Sequence, residues 1–188
     1  MKTRRFVESS VMLALATALS TFAVFKLPFG GSVTLFSQLP IIVIAYRYGT
    51  PWGICIGVLN GLIQLLLGAE NLSYVTGFAS VLILIMTDYV VAYGVLGLGG
   101  VFRKRLHKPA LELCLGSALS TVLRYICHII SGVTIWSGYA PETNTVLHYS
   151  VFYNGSYMLP ELIITIFGAA LIGARLDLLS AQLKIQVR

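Results

Sequence analysis

The sequence predicts an all-α integral membrane protein of six transmembrane helices with both termini cytoplasmic, and three observations carry that expectation. Only 11% of the 188 residues are charged and 57% are hydrophobic, whereas soluble domains carry roughly 25% charged residues. The apolar residues fall into runs near the roughly 20 residues that a helix needs to cross the hydrocarbon core, without the alternation of a membrane barrel. The basic residues gather at alternate ends of those runs.

Lys2, Arg4 and Arg5 precede the first run, Arg47 follows the second, and Arg103, Lys104, Arg105 and Lys108 follow the fourth. Arg175, Lys184 and Arg188 mark the C-terminal end. An even number of spans puts every one of these ends in the cytoplasm, where short loops are enriched in Lys and Arg. Only Lys26 and Arg124 fall elsewhere. The net charge of +6 therefore reports topology in a lipid bilayer, and no nucleic-acid partner is expected.

The first span is expected over Phe6–Lys26, with no convincing cleavage site, so it is read as retained. After Phe29-Gly30-Gly31-Ser32 a second run covers Val33–Tyr46. It contains Pro40 and is short for a crossing, so a broken or tilted helix is expected. A turn over 47–51 leads into Trp52–Leu67, whose Gly53, Gly57, Gly61 and Gly68 suit close packing on a neighbour. Further spans are expected over Tyr74–Phe102, Leu111–Val133 and, after a long loop, Tyr153–Leu178. The whole chain, 1–188, is read as a single membrane domain. No internal repeat supports an inverted-repeat transporter, and no GxxxxGK[ST] loop is present, so the chain is not expected to hydrolyse ATP. Cys55, Cys114 and Cys127 lie in apolar runs without CxxC spacing. Buried thiols are expected, with neither a disulfide framework nor a metal site.

Polar residues inside such runs are costly unless they face protein, water or a ligand, and they concentrate in residues 124–161. Arg124 and His128 are four apart and share a helix face, which continues through Gly132 to Trp136. Singly, His128 reads equally as a hydrogen-bonded core histidine and Arg124 as a snorkelling charge. Asp88, followed by Tyr89, is the one acid in the middle of the fourth run. An aspartate there costs about 2.5–3.5 kcal/mol on insertion scales, so it needs a partner such as Arg124, a proton, or a cationic ligand. Trp136, Tyr139, Tyr149, Tyr153 and Tyr157 could form an ordinary interfacial belt. Their density, with Asn154 and one carboxylate, suits a flat cationic heterocycle, since aromatic faces attract organic cations by about 0.5–2 kcal/mol. Asn154, Tyr157 and Glu161 share a face beside Pro160. No catalytic set of Ser/His/Asp, paired carboxylates or HExxH is visible. Ala14 and Ala18, with Ser10, make a small-residue face for packing in the chain's own bundle or on another membrane subunit.

The stretches RYICHIISGVTIWSGYAP and YSVFYNGSYMLPE resemble the thiamine-specific S components of energy-coupling factor (ECF) transporters. GGSVTLFSQLPIIVIAYRYG and TDYVVAYGVLGLGGVFR are similar to the family's second and fourth segments, so the likeness spans essentially the whole chain. The resemblance implies a six-helix, non-enzymatic vitamin-capturing subunit of the bacterial cell membrane, with a transmembrane coupling protein and two ATPases as partners and no cofactor. It implies a thiamine site of Asp88, Tyr89, Arg124, His128, Trp136, Tyr149 and Asn154 beneath a lid from the first loop. Asp88 would meet the aminopyrimidine or cationic ring, Trp136 would stack, and Tyr149 and Asn154 would hydrogen-bond. Ala14 and Ala18 match the pair that docks on the coupling protein. Two departures stand out: Asp88 replaces a glutamate of some members, and a tryptophan before the second helix is missing, with Phe29 or Phe36 as substitutes. Rival expectations are an S component for hydroxymethylpyrimidine, a thiazole or a vitamin B6 form, a small membrane enzyme, or a structural membrane protein.

Overall fold

The apolar runs are helices in the computed structural model, which describes residues 2–143 and 145–186. Arg188 lies outside the described residues, as do the side chains of Lys2 and Lys184. Helix α1 (Lys2–Thr21) leads into a hairpin of β1 (Ala23–Lys26) and β2 (Ser32–Thr34). Then follow α2 (Leu39–Tyr48), α3 (Thr50–Leu67), α4 (Phe78–Gly100), α5 (Pro109–Thr134) and α6 (Val146–Gln186). Among the described residues, four helices are long and apolar enough to cross a membrane: α3, α4, α5 and the Val146–Leu176 part of α6.

The segment after α1 departs from expectation. Residues 23–26, Ala-Val-Phe-Lys, leave the helix and pair antiparallel with β2, in the register Ala23↔Thr34, Phe25↔Val33 and Lys26↔Ser32. The next helix begins only at Leu39, with Pro40 in its first turn. Proline has no N–H to give to the carbonyl four residues back, so it sits where a helix starts and not inside one. The chain instead turns at Phe36, whose φ is +62°. At the other end of the chain α6 starts at Val146 rather than near Tyr153, which shortens the preceding loop.

α2 is the centre of the core: Ile41, Ile42 and Ile44 are buried against Ile56, Leu96 and Leu113. Glycines bring α3 onto α4, as expected from their spacing. A Cβ on Gly57 would lie 2.4 Å from the Tyr93 carbonyl oxygen, and one on Gly61 2.3 Å from that of Tyr89. Any side chain there would push α4 outward and carry Tyr89 and Tyr93 with it. Within α4, Ile85–Val91 is π-wound, a distortion that recurs at functional sites.

The start of α1 and the end of α2 meet at one end of the bundle, where Arg47 Nε lies 2.5 Å from Glu8 Oε2. Glu112, buried near the start of α5, accepts a hydrogen bond from the Tyr46 hydroxyl at 2.7 Å. It also accepts from the Lys104 and Leu106 amides at 3.0 and 2.9 Å. The basic loop over 103–108 therefore shares that end with Arg4 and Arg47. Ala14, Ala18 and Ser10 are exposed beside Val7, Val11 and Leu15. The expected alternative in which this face packs inside the chain's own bundle does not hold; Ala16, on the opposite face, does that. Cys114 and Cys127 are half-buried, whereas Cys55 is exposed, contrary to the expectation of buried thiols.

Candidate functional site

Asp88, Tyr89, Arg124, His128, Trp136, Tyr149 and Asn154 all line one cavity of about 120 Å³. It lies at the end of the bundle remote from Glu112, a distance set by the rise of about 1.5 Å per residue along α5. α4 supplies Asp88 and Tyr89 from its π-wound turn, α5 supplies Arg124 and His128, and Trp136 follows just beyond α5. The first turns of α6 supply Tyr149 and Asn154. Phe29 to Ser32, from the turn after β1 to the first residue of β2, close the top.

Asp88 is the hub. Its Oδ1 lies 2.8 Å from His128 Nδ1, and its Oδ2 accepts from Ser131 Oγ at 2.5 Å and from Trp136 Nε1 at 3.3 Å. Of the alternatives open to Asp88, an ion pair with Arg124 is not formed; the carboxylate meets His128 instead. One helix turn explains the choice, because His128 and Ser131 are three apart and both point at Asp88. A carboxylate offers about four lone-pair sites, so three donors leave it able to accept one more.

His128 Nε2 and Arg124 Nε are buried without a hydrogen-bond partner among the described residues. With Nδ1 donating to Asp88, Nε2 of a neutral imidazole is an acceptor. The Arg124 guanidinium lies 4.2 Å over the Tyr93 ring, so stacking holds it rather than an acid. Buried polar groups left open in this way cost roughly 1–3 kcal/mol each, and both residues line the same cavity as Asp88.

Asn154 is largely committed to the protein. Its amide nitrogen reaches the Ser150 carbonyl at 2.9 Å and the His128 carbonyl at 3.2 Å. Its oxygen accepts from Tyr157 OH at 2.6 Å. What remains for a ligand is one lone pair on Oδ1.

The mouth is aromatic. Phe29 lies 4.6 Å from the Tyr139 ring, 5.5 Å from Tyr74 and 5.8 Å from Trp136, centroid to centroid. Of the two candidates for the missing tryptophan, Phe29 faces the cavity and Phe36 packs toward Gly168 in the core. Phe29 has φ +65°, a left-handed geometry rarely adopted by bulky residues, and this turn aims its ring inward. Gly30, at φ +93°, follows it with the Asn71 amide only 2.7 Å from where a Cβ would stand.

Ser131, Tyr93 and Asn71 were not singled out from the sequence. Ser131 was within reach, since it shares the His128 face, whereas Tyr93 and Asn71 depend on how α4 and the 69–74 turn pack. Taken together the cavity offers a carboxylate, an imidazole acceptor, a guanidinium and several ring faces. That set fits a flat, positively charged heterocycle with an exocyclic donor. No cluster of three metal-ligating side chains occurs among the described residues.

The family model described as "Thiamine transporter protein" matches residues 6–179. The thiamine transporter ThiT of Bacillus subtilis (strain 168) is 33% identical over 171 residues, which cover 85% of each chain. A solved structure of ThiT from Listeria monocytogenes superposes with a TM-score of 0.75 over 93% of this chain and 95% of that one. At 21% identity that likeness shows the fold. With nearly its full length matched, the chain belongs to the thiamine transporter protein family.

Proposed function

We propose that this chain is the substrate-capturing S component of an ECF transporter, takes up thiamine at the Asp88 cavity, and works in the bacterial plasma membrane. It crosses the membrane six times with both termini cytoplasmic, and it passes its cargo to a transmembrane coupling protein driven by two ATPases. The observation that carries the ligand is the pairing of an open Asp88 carboxylate with an unpartnered His128 Nε2 beside a ring of aromatic side chains. Thiamine joins an aminopyrimidine to a cationic thiazolium. Its amine can donate to His128 and Asp88, while Arg124 can donate to a ring nitrogen. The thiazolium is left for the faces of Trp136, Tyr149 and Phe29, where burial from water strengthens cation–π attraction. Tyr89 closes the wall next to Asp88, and Asn154 fixes the α5–α6 contact while offering its spare lone pair. The exposed face of Ala14 and Ala18 is left for the coupling protein, because small residues permit close helix approach in a bilayer.

The test is a thiamine titration of the purified chain, read by tryptophan fluorescence. Trp136 lines the cavity, whereas Trp52 donates to Ser9 at the opposite end. Saturable quenching that survives Trp52→Phe and vanishes in Trp136→Phe is expected. Quenching by a pyridine vitamin but not by thiamine would refute the ligand while sparing the fold.

A further inference from the structure

We propose that Glu161 is the fixed anchor of the lid: it pins Thr34–Gln38 so that the chain from Ala23 to Val33 can swing while its base stays in place. Glu161 is 3% exposed and lies in the membrane-crossing part of α6. Every hydrogen bond its side chain makes among the described residues goes to Thr34 or Gln38. Its Oε1 accepts from both the Thr34 amide and the Thr34 hydroxyl, and its Oε2 accepts from Gln38 Nε2 at 2.8 Å. Ser37 Oγ lies 2.6 Å from the same threonine hydroxyl. All these partners donate, so the site suits a carboxylate, and an amide in its place could keep the Thr34 donors only by turning its NH2 toward the Gln38 amide.

Glu161 ends a stripe on α6 at four-residue spacing, with Tyr157 and Tyr153 above it, so all three share one face. Tyr153 OH donates to the Pro28 carbonyl. A Cβ on Gly31 would stand 2.9 Å from the Tyr157 ring. The same face of α6 thus grips the lid at three levels, with one hydrogen bond at the top, ring contact in the middle, and a buried multidentate carboxylate at the base. The base is the strongest grip, because hydrogen bonds to a charged group outweigh neutral ones.

The lid has reason and room to move. Its inner side closes a cavity of about 120 Å³, below the roughly 300–1,000 Å³ usual for small-molecule sites. Its outer side borders a second, larger space of about 490 Å³ walled by Ser20, Gln64 and Glu70. Phe29 to Ser32 form the partition between the two.

The inference rests on the thiamine reading for its ligand but not for its anchor, so the test has two readouts. Amide hydrogen exchange of the empty full-length protein is followed over 23–38 and over 109–134, and the dissociation rate of labelled thiamine is measured separately. Glu161→Gln is expected to speed exchange over 23–38 about tenfold, leave 109–134 unchanged, and raise the dissociation rate by a similar factor. Thr34→Val, which removes one donor, is expected to act the same way by about threefold, and it decides the matter if Glu161→Gln does not fold. Thr165→Val, at a buried hydroxyl without a partner one turn further along, is expected to change neither. Unchanged exchange over 23–38 in the folded variants, or equal acceleration over 109–134, would overturn the anchor. Localised acceleration in these variants, with a wild-type protein that does not bind thiamine, would uphold the anchor and refute the ligand.

Discussion

Asp88 and Glu112 are both acids of helices long and apolar enough to cross a membrane, yet the two ends of the bundle use them differently. Glu112 accepts from a tyrosine hydroxyl and two backbone amides of the adjoining loop, so its own carboxylate is satisfied by the protein. Asp88 also has three partners, but one is His128, whose other nitrogen is buried and open, and Arg124 nearby is open as well. A buried carboxylate alone therefore does not mark a binding site. What marks it is unmet hydrogen-bonding capacity on two residues that line one cavity with it.

The sharpest way to break this contrast is Asp88→Asn. Removing one charge from a buried hydrogen-bonded pair costs about 2–5 kcal/mol, so thiamine affinity should fall roughly 100-fold or more in calorimetry; an unchanged affinity would make Asp88 a structural residue like Glu112. Trp136→Ala comes next. Loss of a ring face over a flat ligand is worth about 1–3 kcal/mol, so a loss on the order of tenfold to 100-fold is expected. Phe29→Ala should cost less, about tenfold, and should show mainly in the dissociation rate, because the residue belongs to the lid. Stopped-flow measurement would separate the two rates, and a loss confined to association would argue against a lid role. The smallest effect on binding belongs to Glu112→Gln. It should lower thermal stability by about 1–3 kcal/mol through two poorly met amides and leave thiamine affinity where it was. A matching fall in affinity would erase the distinction between the two acids.

The chemical half of the cavity was legible in the sequence because the chain is so apolar. In a run such as Ile83–Val91 the lone Asp88 has few innocent explanations, and Arg124 and His128 at a spacing of four state their own shared face. The partners were less legible. Arg124 is one of the partners the sequence offers Asp88, but pairing depends on helix rotation, and the π-wound turn at 85–91 presents Asp88 to His128 and Ser131 instead. The lid was harder still. Its hairpin is too short for alternation to show, and Phe29 becomes a cavity residue only through a left-handed turn that no local pattern demands. Glu161 was visible as a polar residue on the Asn154 face, yet its partners are more than a hundred residues away in the chain.

The central claim, that the Asp88 cavity is the thiamine site, is tested most directly by an experimental structure of the chain with thiamine bound. The expected result is the aminopyrimidine against Asp88 and His128, with Phe29 and Trp136 covering the rings. Thiamine bound elsewhere, with His128 Nε2 and Arg124 still open, would contradict it.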